Sequence, residues 1–338
     1  MKNVRKKSVI IILILIIVLF FLLKDDFNNV INTLLDVNLI WIAIAIIAIM
    51  LYWLLKTLGL YILVREQNEK IKFRTIFAQG IITEFFNGIT PFATGGQPMQ
   101  VYMLTKTGIK VANATNMIVQ SFIFFQTALL VHGILAVTLN YMFNLVTINT
   151  AIWTLIMLGF IMNTIVGIAL LFISFSTRVN NKIGKLIINI GFKFKLIKNK
   201  KKALEKWEEK LKEYHSNAEL LRNKKSLFIK GFICNFIALF FLYIIPLFIV
   251  YSLRDYTSIN IVEAIITSAC ILLIGNFVPI PGGSGGIEYG FMNIFKTFIQ
   301  GTALTAVLML WRFVTYYLGI IAGAIIMGFF KGEDKLCE

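Results

Sequence analysis

The sequence predicts an all-α polytopic membrane protein: about six full transmembrane helices and two oppositely inserted re-entrant helix pairs around an inverted-repeat core. Three observations predict it: the bulk composition, a series of long apolar runs, and two related Pro-Gly segments that interrupt the series. Hydrophobic residues form 58% of the 338-residue chain, charged residues only 15%, and the mean hydropathy is +0.81. A water-soluble domain of this size needs far more polar surface.

The apolar runs cover residues 8–23, 39–64, 114–139, 151–175, 227–251 and 302–330, and each is read as a transmembrane helix. Most can cross a hydrocarbon layer of about 30 Å at about 1.5 Å per residue. The first run is the shortest. Its basic start at Lys2, Arg5, Lys6 and Lys7 is like that of a signal peptide, but it leads straight into Lys24, Asp25 and Asp26. With no small-residue cleavage pattern, it reads as an uncleaved helix.

The formal net charge of +16 raises the possibility of nucleic-acid binding, and its distribution argues against it. Residues 178–230 alone hold 16 Lys and Arg against 5 Glu, a contribution of +11 from one short stretch. Such basic flanks of apolar segments are what positive-inside topology requires. Placing the N-terminus in the cytoplasm sends the first helix outward and the second back to Arg65, Lys70, Lys72 and Arg74. Lys106 and Lys110 then lie on the same side, so residues 75–104 must enter and leave from the cytoplasm. Two full helices satisfy the same count, but Gln79, Glu84, Asn87 and the clustered Pro and Gly favour a re-entrant pair. With the C-terminus also cytoplasmic, residues 261–299 dip in from outside. The expected location is a bacterial cytoplasmic membrane.

The two interruptions share a pattern. Pro91 precedes Gly95 and Gly96 by four and five residues, and Pro281 precedes Gly285 and Gly286 by the same intervals. Asn87 and Asn276 stand upstream, and Pro98 and Pro279 bring four of the chain's five prolines into these stretches. Proline removes a helix donor, while glycine permits positive φ and bares backbone amides. A helix starting after each Gly pair points its N-terminal amides at the break, where an anion such as a lipid phosphate fits. Thr94, Gln97, Gly282, Gly283 and Ser284 complete the candidate lining. The competing reading is a pair of structural kinks for close helix packing.

Arg312 lies deep in the last apolar run, where an arginine must be paired or hydrated. Glu84, Glu288 and a ligand phosphate are its candidate partners. The two glutamates either neutralise Arg312 and cap broken helices, or take up protons or a cationic headgroup. Glu263 reads as interfacial, and His132 as a buried hydrogen-bonding residue. No chemistry is assigned to Tyr316 and Tyr317. Residues 178–226 form a basic amphipathic cytoplasmic insertion with an apolar stripe at Leu204, Trp207, Leu211, Tyr214, Ala218 and Leu221. It is expected to lie on an anionic lipid surface; packing on the core or on a second copy fits the same stripe. Cys234, Cys270 and Cys337 have no metal or redox spacing, and His132 and His215 are far apart. No metal and no cofactor are expected.

At Pro91–Pro98, Pro279–Glu288 and Trp311-Arg312 before Tyr316, the sequence resembles the flippase-like transmembrane domain family of lysylphosphatidylglycerol synthases. The resemblance spans nearly the whole chain and implies lipid translocation. Its ligand would be aminoacylated phosphatidylglycerol, another phospholipid or a polyprenyl-linked lipid. Full-length relatives add a soluble domain that transfers an amino acid from transfer RNA. About eight residues follow the last apolar run here, so no such domain is expected. A membrane lipid-modifying enzyme is the first alternative, although no catalytic constellation is visible. A scaffold for a separate lipid synthase is the second. A homo-oligomer is compatible with each.

Overall fold

A computed structural model describes residues 32–193, 199–201, 203–209, 211, 224–276 and 278–329. The expected first helix at 8–23, residue 330 and the C-terminal tail lie outside the described residues, as do Tyr214, Ala218 and Leu221 of the stripe. The described residues form helices joined by short turns. These are α1 (Leu39–Gln67), α2 (Phe73–Gly88), α3 (Gly96–Lys106), α4 (Val111–Phe143), α5 (Thr150–Phe175) and α6 (Thr177–Lys193). After the insertion come α7 (Lys225–Tyr243), α8 (Ile245–Ser252), α9 (Ile261–Gly275), α10 (Gly286–Phe295), α11 (Gly301–Arg312) and α12 (Leu318–Phe329).

Local chemistry sets the helix ends. Asn38 and Asn149 start α1 and α5, each side-chain oxygen accepting an amide of the first turn at 3.0 and 2.9 Å. Asn260 and Glu263 form a reciprocal capping box at the head of α9, which occupies the Glu263 carboxylate. Asn144 closes α4 at φ 49°, the left-handed turn that asparagine tolerates. Pro246, in the first turn of α8, breaks the otherwise continuous apolar stretch 225–252 into α7 and α8.

Five helical stretches are long and apolar enough to cross a membrane among the described residues: 39–67, 111–143, 150–174, 225–252 and 301–329. Their outward faces fit lipid. On α5 the side chains of Leu158, Ile161, Ile165, Ile168 and Phe172 are all exposed, with no polar face to match. The chain is an all-α polytopic membrane protein.

Two halves of matching construction pack around the centre. The first comprises α1, the paired α2 and α3, and α4. The second comprises α7–α8, the paired α9 and α10, and α11–α12. The lead helices α1 and α7–α8 pack along their length in opposite directions. The Asn38 amide at the start of α1 donates to the Ser252 carbonyl at the end of α8 at 2.7 Å, while Glu66 near the end of α1 pairs with Lys224 at the start of α7. The halves also exchange partners: α2 packs on α12, and α9 packs on α4. Gly323 of α12 lets the α2 backbone approach so closely that a Cβ there would stand 2.6 Å from the Ile81 carbonyl oxygen. Small residues at such crossings replace the hydrophobic effect that lipid does not supply.

The insertion begins with amphipathic α6, whose Leu186 and Ile190 are exposed beside Lys182, Lys185 and Lys193. Trp207 of the expected stripe lies against Gly184 of α6, so this part of the stripe is covered by the chain itself.

Candidate functional site

The two Pro-Gly breaks meet each other at the centre of the fold. Neither α2 (16 residues) nor α9 (15 residues) is long enough to span 30 Å, and α3 and α10 are shorter still. Each long member packs against its own short partner, forming a helix hairpin with the break at its tip.

The breaks share one turn over their first four residues and part in backbone shape at Thr94 and Ser284. Thr90 and Ile280 enter at φ/ψ of −120°/145° and −110°/143°. Pro91 and Pro281 follow, and then come two left-handed residues in each case: Phe92 and Ala93 at φ 54° and 52°, Gly282 and Gly283 at 66° and 63°. The Thr94 and Ser284 amides return to the proline carbonyls at 3.2 and 3.4 Å, and their hydroxyls donate to the same carbonyls at 3.0 and 2.9 Å. Thr94 and Ser284 are therefore equivalent in these hydrogen bonds. The first turn is built without glycine at its left-handed positions, which costs about 1–2 kcal/mol per residue.

The helices after the breaks start at Gly96 and Gly286, the second glycine of each pair. Three of the amides at these two starts, expected to present themselves to an anion, are bonded within the chain. The Gly95 and Gly96 amides donate to Thr90 Oγ1 and Asn87 Oδ1 at 2.8 and 3.1 Å. The Gly285 amide donates to Glu288 Oε2 at 2.6 Å. Gln97, with its amide nitrogen turned inward, donates to the Thr94 and Ala93 carbonyls at 3.1 and 3.3 Å. A bared amide inside an apolar protein is expensive, and Thr90, Asn87 and Glu288 cap these three.

Arg312 ends α11 and is 5% exposed. It is bound to the second break. Its Nε lies 2.8 Å from Glu288 Oε1, one terminal nitrogen donates to the Gly282 carbonyl at 3.1 Å, and the other to Ser284 Oγ at 3.2 Å. Glu288 thus stands between the guanidinium and the Gly285 amide just ahead of α10. Immediately after Arg312 the helix widens into one π turn at Phe313–Tyr317, an irregularity common at functional sites. The widened turn brings the Tyr316 ring to 4.4 Å from the guanidinium carbon, and its hydroxyl donates to the Gly88 carbonyl at the end of α2. Arg312, Tyr316 and the two breaks form one connected cluster.

The other candidates are placed elsewhere. Glu84, a candidate partner of Arg312, pairs instead with Lys56 of α1 at 2.8 Å. The Lys56 ammonium also lies 5.3 Å from the Tyr52 ring centroid and 5.5 Å from that of Phe125. Asn276 is exposed, and its amide reaches the buried Asn163 of α5 at 3.4 Å, which also accepts from Gln126. Pro98 sits in the first turn of α3, and Pro279 is exposed at the approach to the second break. His132 lies among rings, its Nδ1 3.0 Å from the Ala128 carbonyl oxygen and its ring 4.1 Å from that of Phe236. Sequence reasoning passes over Lys56 and names Tyr316 without giving it a role. A lone lysine inside the apolar run 39–64 is the signal that marks the first; nothing in the spacing singles out Tyr316. Among the described residues, no group of three or more His, Cys, Asp or Glu could hold a metal ion.

Comparison with known proteins agrees with this architecture. The chain is 24% identical over 313 residues to a UPF0104 membrane protein of Archaeoglobus fulgidus, covering 85% of each chain. Residues 8–323 match the family described as the lysylphosphatidylglycerol synthase TM region, a span that takes in both breaks, Arg312 and the whole helical core. The chain belongs to this family of polytopic membrane proteins.

Proposed function

We propose that the protein translocates a lipid with an anionic headgroup across a bacterial cytoplasmic membrane, with Arg312 as the counter-ion of the headgroup. One observation carries this reading. The Glu288 carboxylate forms an ion pair with the Arg312 guanidinium and accepts the Gly285 amide just ahead of α10. A phosphate accepts the same two kinds of donor, a guanidinium fork and a helix N-terminus. Glu288 holds the place of the headgroup, and the lipid exchanges with it.

The antiparallel lead helices α1 and α7–α8 support an inverted arrangement of the halves, with the first hairpin inserted from the cytoplasm and the second from outside. Broken half-helices meeting at the bilayer midplane are the usual ingredients of alternating access. Both termini are cytoplasmic in this reading, and the basic insertion rests on anionic lipid. Aminoacylated phosphatidylglycerol, other phospholipids and polyprenyl-linked lipids all present a phosphate to Arg312. A separate lipid synthase or a second copy of the chain is a compatible partner.

A second reading treats the cluster as a structural latch in a scaffold for a lipid synthase; the 5% exposure of Arg312 favours it. Reconstituted protein separates the two. Headgroup-labelled lipids of several classes are loaded into proteoliposomes, and their movement between leaflets is followed under different ion gradients. Translocation of at least one phosphate-bearing class supports transport. No movement of any class under any gradient supports the scaffold.

A further inference from the structure

Lys56 and Glu84 form a second charge pair, half-buried, outside the Arg312 cluster and built differently. Arg312 and Glu288 have side-chain exposures of 6% and 12%, with the guanidinium held by a carbonyl, a hydroxyl and a ring. Lys56 and Glu84 are at 29% and 20%, joined by one contact. The second pair is the more open and the more easily separated. Lys56 stands nine residues before Arg65 at the basic end of α1, or about 13 Å along the helix axis, and Glu84 is about as far into α2. That is near the middle of a layer about 30 Å thick.

The position links the pair to Arg312. Glu84 and Gly88 lie one turn apart on α2, and the Gly88 carbonyl receives the Tyr316 hydroxyl. Tyr316 in turn covers the Arg312 guanidinium. Each half of the fold therefore carries its own cation and carboxylate, and a single tyrosine stands between the pairs. The Tyr52 and Phe125 rings flank the Lys56 ammonium, so it keeps favourable contacts when its carboxylate partner moves away.

We propose that Lys56 is a second phosphate-binding station, at which a headgroup phosphate displaces Glu84 as it displaces Glu288 at Arg312. Translocation then proceeds between two cations, with the intervening step at Tyr316. This rests on the translocation reading of the Arg312 cluster and adds to it a site in the other half of the fold.

Removing one partner alone leaves an orphaned half-buried charge and threatens the fold, so the test neutralises both. The variant Lys56→Met with Glu84→Gln removes the pair without an orphan, a change often neutral or stabilising for buried ion pairs. Two measurements are made on full-length protein. The first is native mass spectrometry in detergent with dioleoylphosphatidylglycerol, with dioleoylglycerol as the phosphate-free control and sodium phosphate as competitor. The second is movement of labelled phosphatidylglycerol in proteoliposomes.

The double variant is expected to melt within a few degrees of the wild type, to bind phosphatidylglycerol less, and to move it at least tenfold more slowly. Competition by sodium phosphate supports a station open to soluble phosphate; retention of the lipid in its presence supports a lipid headgroup. Equal binding of dioleoylglycerol, or wild-type binding and movement by the double variant, overturns the proposal. Wild-type protein that binds lipid through Lys56 but moves none removes the translocation reading and leaves the station.

Discussion

The hydroxyl of Tyr316 donates to the carbonyl of Gly88 at 2.7 Å, which ties the π turn after Arg312 to the end of the helix that carries Glu84. The same ring lies against Gly282, where a Cβ would stand 2.3 Å from it. Both hairpin tips are thus held through one side chain. Tyr316→Phe removes the donor and leaves a carbonyl short of a partner, a loss of about 1–3 kcal/mol. Thermal unfolding in detergent should show a lower midpoint for this variant. An unchanged midpoint together with unchanged lipid movement would mean that the bond couples nothing.

The Arg312 and Glu288 pair should behave as a unit. Arg312→Ala alone orphans a buried carboxylate, at a cost of about 3–5 kcal/mol. Replacing both residues with apolar ones of similar size costs less than the sum of the single changes. A double-mutant cycle in stability measures the difference. Additive single effects would show that the two residues do not act together.

The duplicated turn makes an opposite pair of predictions. Ala93 holds a left-handed φ of 52° with a side chain, so Ala93→Gly relieves strain and should stabilise by up to about 1 kcal/mol. Gly282→Ala puts a side chain at φ 66° and into the Tyr316 ring, and should destabilise by more than that. Paired melting curves check both signs. A destabilising Ala93→Gly would show that the strained turn contributes something beyond its backbone shape.

Orientation is testable at Phe92 and Ile280, which are 53% and 49% exposed at the two tips. Cysteine placed at each, with the native cysteines removed, should label from opposite sides: Phe92→Cys from the cytoplasm and Ile280→Cys from outside. Labelling of both from one side would rule out inverted insertion.

Much of this arrangement is legible in the sequence because proline and glycine dictate backbone shape wherever they stand. Pro91 and Pro281 mark the two turns, and the Gly pairs mark where α3 and α10 begin. Partner choice is harder to read. Glu84 and Glu288 are both candidate partners for Arg312 from spacing alone, and only the packing of α2 on α1 within the first half assigns Glu84 to Lys56. Asn87 and Asn276 look equivalent upstream of their prolines. Asn87 caps Gly96, whereas Asn276 is drawn to Asn163 where α5 crosses the end of α9. The left-handed turn at Phe92 and Ala93 gives no residue-type signal, because neither side chain favours positive φ.

The central claim is that Glu288 occupies the position of an anionic headgroup at Arg312. The most direct measurement compares phosphatidylglycerol movement by wild type, Arg312→Ala and Glu288→Gln in proteoliposomes, alongside binding of the same lipid in detergent. Glu288→Gln removes the competing charge and keeps the shape, so it should bind phosphatidylglycerol more tightly than wild type. Arg312→Ala should bind it less tightly than wild type and lose movement. Equal binding by all three proteins would contradict the account.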